Sequence, residues 1–165
     1  NFGLLYAIGV DGFRRLARKQ YGLRLTENDA NGLMNSFFDA FPEVFAWHDR
    51  EAREPTEVFV TPLGRRLHLA RPGIELPARL ARMIQAIEAD AIKTALVELA
   101  EPLRATGGRI VMPIYDAILI EVPHEQAEEA GEILAEIMRS AMARFIPSVP
   151  VQVKTKTGTD WSFGG

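Results

Sequence analysis

The chain has 165 residues, of which 47% are hydrophobic and 25% charged, and its formal net charge is −3. This composition fits one globular domain, or two lobes that share a core, and it excludes a uniformly basic coat for nucleic acid. The chain has no cysteine, which excludes disulfides, thiolate metal sites and cysteine nucleophiles and fits a cytoplasmic protein. No apolar run is long enough for a membrane span, and Asn1 falls inside a helical pattern, so we expect a fragment of a longer protein without membrane contact.

Basic residues are concentrated in the first part of the chain. Residues 1–93 carry 13 Lys and Arg against 12 Asp and Glu, whereas residues 94–165 carry 6 against 10. The arginine pairs Arg14-Arg15 and Arg65-Arg66 could bind phosphate groups, although an exposed arginine pair more often lies on a solvated face. From the residues alone, both interpretations stay open.

Short helices are predicted for the first third of the chain. Val10–Tyr21 has the pattern of a basic amphipathic helix. Thr26, with Asp29 three residues on, predicts the cap of the next helix, which should stop at Pro42, and residues 43–53 predict a further helix. The apolar residues expected to face the core are Leu33, Phe37, Phe38, Phe41, Val44 and Trp47.

The middle of the chain predicts a small hairpin and then a long helix. Residues 57–61 and 65–69 flank a Pro-Leu-Gly turn, and the Pro- and Gly-rich loop 71–77 is the best candidate for a lobe boundary. Residues 76–106 have the longest helical pattern, with Gly107-Gly108 as its stop. Pro102 should end or bend this helix near Glu101. The side chains expected to face inward are Leu80, Met83, Ile84, Ile87, Ala91 and Leu99.

A second predicted hairpin places one aspartate between two apolar runs. Ile110–Ile114 and Ile118–Val122 are predicted to be strands that pack into a core, joined by Tyr115-Asp116-Ala117. A carboxylate at such a tip is held by the sheet and suits a hard divalent cation. The alternative is a turn aspartate that hydrogen-bonds its own backbone, and taken alone that alternative is favoured.

The C-terminal part predicts a helix and a strand. His124–Phe145 has an amphipathic pattern with a strongly acidic outer face, and Val149–Lys156 alternates as a strand does. Helix, hairpin, helix and strand in this order predict an α+β fold, with an antiparallel sheet backed by helices on one face.

Five segments, in this order, resemble motifs of the C-terminal half of the polymerase domain in family A DNA polymerases, the bacterial DNA polymerase I and phage group. The resemblance spans almost the whole chain, and five motifs in register over this length are not expected by chance. The segments are Asn1–Tyr6 (similar to N-F-G-x-x-Y), Thr61–Arg66 (T-x-x-G-R-R), Ile84–Lys93 (P-[IM]-Q-G-T-A-A-D-I-I-K), Ile114–Val122 (V-H-D-E-L-V-x-E-V) and Gly158–Trp161 (G-x-x-W).

The resemblance implies a fold, a reaction and partners. Residues 1–75 would be a helical part of the fingers, and residues 76–165 a part of the palm with the Asp116 hairpin. The complete enzyme would add deoxynucleotides to a primer 3′ end by phosphoryl transfer with two Mg²⁺ ions. Its partners would be primer-template DNA, deoxynucleoside triphosphates and the remainder of the polymerase chain.

The resemblance also implies roles for individual residues. Asp116 would be catalytic and a metal ligand, Tyr6 would lie where the templating base pair forms, and Phe2 would lie against the incoming nucleotide. The amide of Gln85 would read the minor-groove edge of the primer terminus. The residues implied to bind DNA are Arg65, Arg66, Gln85 and Tyr115.

The chain departs from the family pattern at several positions. Ala7 replaces the glycine after the tyrosine, Gln85–Asp90 reads Q-A-I-E-A-D instead of Q-G-T-A-A-D, and His-Asp-Glu at the hairpin becomes Tyr115-Asp116-Ala117. The second hairpin carboxylate is therefore replaced by alanine. Because the partner aspartate and the fingers residues that grip the triphosphate belong upstream of this segment, we expect the fragment alone to be inactive.

Two other interpretations remain. One is a divergent, non-catalytic polymerase-like module that binds DNA, which Tyr115 and Ala117 favour. The other is an unrelated Mg²⁺-dependent hydrolase that uses Asp116, but no second carboxylate is convincingly placed beside it, because Glu121 is five residues away. Asp90 is interpreted as structural, either a helix-surface acid or a partner for Lys93 or Arg82. No chemistry is assigned to the three histidines.

Overall fold

The computed structural model describes residues 2–69 and 73–160. Helices dominate both stretches, together with two antiparallel hairpins, which confirms the predicted α+β class. No helix in the described stretches is long and apolar enough to cross a membrane. The helices are α1 (Phe2–Leu5), α2 (Val10–Tyr21), α3 (Glu27–Ala40), α4 (Pro42–Arg53), α5 (Leu76–Ala105) and α6 (Ala127–Ala143). The strands are β1 (Val58–Val60), β2 (Arg66–His68), β3 (Arg109–Ile114) and β4 (Ala117–Glu121), and a 3₁₀ turn (His124–Gln126) precedes α6.

The chain divides into two compact units. The first comprises Asn1–Val60 and Gly64–Ile84, and the second comprises Thr61–Leu63 and Gln85–Gly165. Each unit has its own cluster of buried apolar residues. The clusters centre on Leu69, Leu80 and Met83 in the first unit and on Ile92, Ala95, Leu99, Leu103, Ile118, Ala130, Leu134 and Ala141 in the second.

Local hydrogen bonds define the start of α3 as the sequence predicts. The hydroxyl oxygen of Thr26 accepts from the backbone N–H of Asp29 at 3.1 Å, and the Asp29 carboxylate accepts from the Thr26 N–H at 3.1 Å. The hydrogen bond from the Thr26 hydroxyl is the main cause that lowers the pKa of Asp29 below its ordinary value of 3.8. An aspartate therefore completes the capping box, in which glutamate or glutamine is more usual.

The end of α1 is closed by a Schellman motif in which the left-handed residue is an alanine. The N–H of Ile8 donates to the Gly3 carbonyl at 2.9 Å and the N–H of Ala7 to the Leu4 carbonyl at 3.2 Å, while Ala7 has φ +55°. The end of α5 has the same motif with Gly107 at φ +72°. The left-handed conformation costs a residue with a Cβ about 1–2 kcal/mol, so Ala7 at the end of α1 is strained.

Ala7→Gly is expected to raise the free energy of unfolding by about 1 kcal/mol, because glycine removes the Cβ clash at this left-handed position. Urea denaturation of the chain measures the change. Gly107→Ala is the matched reverse substitution and is expected to lower stability by a similar amount. Equal stabilities for Ala7→Gly and wild type would contradict the proposed strain.

The large apolar residues of α3, and Phe41 directly after it, do not form a core as the sequence predicts. Leu33 is 51% exposed and Phe41 50% exposed, so the prediction that they face the core is wrong. Phe37 and Phe38 are half-buried, and the Phe37 ring contacts the Phe41 ring with centroids 5.0 Å apart. Residues at four-residue spacing share one face of a helix, but here they pack on one another along a largely exposed face.

The first hairpin forms where the sequence predicts it. Val58 pairs with His68 and Val60 with Arg66 in an antiparallel register. Its turn residues Thr61–Leu63 belong to the second unit, where the Leu63 N–H donates to the Asp90 carboxylate at 3.2 Å.

Asp90 is 1% exposed, so its interpretation as a helix-surface acid is wrong. The helical pattern alone does not reveal this, because the hydrogen bond joins residues 27 positions apart.

Asp90→Ala is expected to lower the free energy of unfolding by about 3 kcal/mol, because it leaves a cavity and removes the acceptor of the Leu63 N–H. Asp90→Asn retains a side-chain oxygen that accepts this hydrogen bond and should lose less. Urea denaturation compares the two variants with Lys93→Ala, an exposed neighbour on α5. A loss for Asp90→Ala no larger than for Lys93→Ala would contradict the role of this hydrogen bond.

Helix α5 is longer than Pro102 suggests. It continues through Pro102 to Ala105, so the predicted end near Glu101 is wrong. Only three helical residues follow Pro102, so few hydrogen bonds depend on continuing past it. Leu80, Met83, Ala91 and Leu99 are buried as predicted, but Ile84 is 39% exposed, and its inward prediction is wrong.

The second hairpin, β3–β4, packs unevenly against the second unit's core. Ile118 is buried and Ile110 and Ile120 pack against the same cluster. In contrast, β3 is mostly exposed, with Met112 and Ile114 each 40% exposed, so the prediction that both strands pack into the core is wrong for most of β3. A register irregularity between Ile110 and Met112 contributes to this asymmetry, because it changes which side chains share a face.

The predicted C-terminal strand is not formed. Residues 149–158 have no regular secondary structure, so this prediction is wrong. Alternating apolar residues favour an extended backbone, but a strand also requires a hydrogen-bonded partner, and these residues pair with none in the described part of the chain. Trp161, the predicted anchor, lies outside the described residues.

Candidate functional site

The β3–β4 hairpin ends in a two-residue turn that exposes Asp116. Ile114 pairs with Ala117 across the turn, which leaves only Tyr115 and Asp116 between the strands. Tyr115 has φ +54° and is 95% exposed. A tyrosine in the left-handed region is strained, and such strain concentrates at functional sites. The turn thus holds the exposed Asp116 carboxylate on a short connection between paired strands.

Glu88 of α5 is a second carboxylate near this tip, and the predictions from the sequence did not include it. The pKa of Glu88 is raised above its ordinary value of 4.5, first by burial and second by the negative charge of Asp116. A signal was present in the sequence, because Glu88 stands where the family motif has an alanine and lies three residues after Gln85. Residues three apart share one face of a helix, so Glu88 and Gln85 are neighbours on α5.

The raised pKa of Glu88 gives a stability prediction with a defined sign. An acid whose pKa is higher in the folded state than in the unfolded state destabilises the fold as pH rises from 4.5 through the folded-state pKa. Glu88→Gln removes this ionisation, so the variant should be more stable than wild type at neutral pH and lose that advantage as pH falls to 4.5. Thermal unfolding across this pH range measures the difference. An advantage independent of pH would contradict the explanation.

The chemistry of these donors fits a hard divalent cation only in part. Carboxylate oxygens are the ligands that Mg²⁺ prefers, and Asp116 and Glu88 supply them. Mg²⁺ takes six ligands and retains several waters. Within residues 2–69 and 73–160, no group of three or more His, Asp or Glu residues is arranged to hold a metal ion.

The residues implied by the resemblance fall into two groups. Gln85, Tyr115 and Asp116 belong to the second unit, and all three are exposed. Arg65 and Arg66 belong to the first unit, where Arg65 is half-buried and Arg66 is exposed on β2. The structure therefore places Tyr115 and Asp116 side by side at the hairpin tip, and the charge of Asp116 acts on Glu88 of α5.

Tyr6 belongs to the first unit and lines a surface pocket of about 590 Å³. Its ring is half-buried and packs against the cluster of Leu69, Leu80 and Met83. The side chain of Phe2 lies outside the described part of the chain. The pocket is lined by Gly3, Tyr6, Ile8, Gly9, Val10, Asp11, Gly12, Arg15 and Pro77.

A larger pocket of about 770 Å³ lies along α6 in the second unit. Glu125, Glu128, Glu132 and Glu136 line it. Arg139 also lines it and forms an ion pair with Glu136. Four carboxylates against one arginine disfavour a polyanion at this surface, as the sequence predicts for the acidic face of this helix.

The chain is similar to DNA polymerases over nearly its full length. The family model for DNA polymerase family A matches residues 1–163. The chain is 31% identical to the thermostable DNA polymerase I of Thermus filiformis and 32% identical to the DNA polymerase I of Aquifex aeolicus, with 98% of the chain covered in each case. It is 30% identical to the DNA polymerase theta of Caenorhabditis elegans, also over 98% of the chain.

A solved structure has a similar fold. The POL domain of Pol1 from M. smegmatis, in complex with a DNA primer-template and dNTP, matches 85% of this chain with a TM-score of 0.65 and 26% sequence identity. The chain covers 26% of that domain, and it spans 19% of the Thermus filiformis protein and 29% of the Aquifex aeolicus protein. On the match of the family model to residues 1–163, the chain belongs to DNA polymerase family A.

Proposed function

We propose that this chain is the fingers-to-palm part of a DNA-directed DNA polymerase that adds deoxynucleotides to a primer 3′ end. Residues 1–75 would belong to the fingers and residues 76–165 to the palm. The observation that carries the proposal is the exposed Asp116 at the tip of a paired hairpin in a chain of this family. The cytoplasm is the proposed location.

The proposed catalytic residue is Asp116, which would hold Mg²⁺ together with donors supplied by the rest of the polymerase. When bound, two Mg²⁺ ions supply charge neutralisation and activation of the primer hydroxyl. The contribution of this chain is to present a carboxylate in a fixed position, because the two-residue turn leaves the tip little freedom. Tyr115, fully exposed beside it, has a phenolic hydroxyl that can donate a hydrogen bond to a phosphate of the primer.

The proposed partners are primer-template DNA and deoxynucleoside triphosphates, as in the complex formed by the similar M. smegmatis domain. Arg65 and Arg66 would bind backbone phosphates, and the exposed amide of Gln85 would contact the minor-groove edge of the primer terminus. Tyr6 and Phe2 would contact the base pair that forms and the incoming nucleotide. The position of Tyr6 in the lining of a surface pocket of about 590 Å³ supports this role.

A non-catalytic, DNA-binding polymerase-like module is the second candidate. The observation that favours it is Ala117, which supplies no carboxylate beside Asp116. Both candidates predict salt-dependent binding to primer-template DNA. Only the polymerase predicts metal-dependent primer extension by the longer protein.

Primer extension with Mg²⁺ and dNTPs tests the proposal, on the 165-residue chain and on the longer protein that contains it. The longer protein is expected to extend the primer. The chain alone is expected not to, because the partner aspartate and the fingers residues that grip the triphosphate are expected upstream of this segment. Asp116→Ala controls for a contaminating polymerase. Extension by the purified chain that Asp116→Ala abolishes would contradict the expected inactivity, and no extension by the longer protein would favour the non-catalytic module.

A further inference from the structure

We propose that Glu88 contributes its carboxylate to the divalent-cation site of Asp116, so that α5 supplies a second acidic donor from this chain. This inference rests on the proposed function and adds to it a residue that the family motif does not provide. It follows from the way that α5 and β4 pack in the second unit.

Helix α5 and strand β4 run in the same direction through this packing. Gly108 lies between the last turn of α5 and the end of β4. A Cβ placed on Gly108 would be 2.5 Å from a methyl carbon of Val122 and 2.8 Å from a methyl carbon of Leu103. The C-terminal end of α5 is therefore close to the C-terminal end of β4. Further back, Ile92 of α5 and Ile118 of β4 belong to one cluster. The two elements therefore approach each other at the Leu103 and Val122 end and contribute to the same apolar cluster.

The same alignment brings Glu88 and Asp116 to one end of the contact. Glu88 lies 15 residues before Leu103, which is about 22 Å along a helix. Asp116 lies 6 residues before Val122, which is about 20 Å along an extended chain. Similar lengths from a common point bring the Glu88 end of α5 and the Asp116 end of the hairpin to about the same level. The effect of the Asp116 charge on the pKa of Glu88 agrees with this placement.

Two neighbouring carboxylates repel each other, and a bound cation reverses that repulsion. Glu88 is also half-buried, so its charge is less well solvated than that of a freely exposed glutamate. The residue that follows Asp116 on the hairpin is Ala117, which has no donor. Glu88 thus brings from the helix an oxygen donor that the hairpin lacks.

Mn²⁺ binding to the full-length polymerase that contains this chain, with primer-template DNA bound, tests the inference without a turnover assay. Free Mn²⁺ is measured by electron paramagnetic resonance. Glu88→Gln is expected to weaken Mn²⁺ binding about tenfold, and Asp116→Asn at least as much. Adding Ala117→Glu to Glu88→Gln should restore binding, because it returns a carboxylate to the same tip. Glu101→Gln, an exposed glutamate of α5, is the matched control and should bind as wild type does.

Each outcome decides a different claim. Wild-type affinity in Glu88→Gln, with loss in Asp116→Asn, would overturn the role of Glu88 and leave the proposed function intact. Wild-type affinity in both variants would overturn both claims. Weakened binding in Glu88→Gln that Ala117→Glu does not restore would also overturn the inference, because the loss would then not report a missing carboxylate at this tip.

Discussion

Asp116→Asn, in the polymerase that contains this chain, is expected to lower kcat for primer extension by about a thousandfold or more. A metal ligand at the reaction centre stabilises developing charge by several kcal/mol, and about 4 kcal/mol corresponds to a factor of about a thousand in rate. Asparagine has nearly the same shape but carries no charge, so the loss reports the carboxylate and not the packing of the hairpin. Single-turnover extension of a labelled primer measures the effect.

Asp39→Asn is the matched control, because Asp39 is an exposed aspartate on α3 in the first unit. Its rate should equal that of the wild type. Raising the Mg²⁺ concentration should recover part of the rate of Asp116→Asn if weaker metal binding contributes to the loss. An Asp116→Asn enzyme as fast as the control would show that the hairpin carboxylate takes no part in the reaction.

Replacing both Arg65 and Arg66 with alanine is expected to weaken primer-template binding and to reduce its salt dependence. Each lost phosphate contact changes the slope of log K against log salt by about 0.9, so two contacts change it by about 1.8. Between 1 M and 0.1 M salt, a slope difference of about 1.8 corresponds to about 60-fold in affinity. Fluorescence anisotropy with labelled duplex, at several salt concentrations, measures both quantities.

The control pair is Arg104 of α5 and Arg139 of α6, which form ion pairs with Glu101 and Glu136. Their double alanine variant removes the same charge from a surface that is not proposed to bind DNA. Its slope should stay close to that of the wild type. A slope change in the control pair as large as in Arg65 and Arg66 would show that the effect comes from net charge and not from phosphate contacts.

Features that depend on neighbouring residues could be predicted from the sequence. The cap at Thr26 and the end of α5 at Gly107 follow from hydrogen bonds within one turn of backbone, and the structure has both. The hairpin around Asp116 could be predicted for the same reason, because its two apolar runs and short turn are adjacent in the chain. The family resemblance, carried by five local motifs, is confirmed by the match over residues 1–163.

Features that depend on distant residues could not be predicted in this way. The exposure of Ile114 and Leu33 depends on whether another element covers their faces, and a periodic pattern does not report that. The strand predicted over residues 149–156 lacks a partner strand in the described part of the chain. Glu88 lies 28 residues before Asp116 and comes near it only through the packing of α5 on β4.

Anomalous diffraction tests the role of Asp116 directly, on crystals of the proposed longer polymerase with primer-template DNA, Mn²⁺ and a non-hydrolysable dNTP. We expect a manganese peak within about 2.2 Å of an Asp116 carboxylate oxygen. Well-occupied manganese at the primer terminus, bound without Asp116, would contradict it.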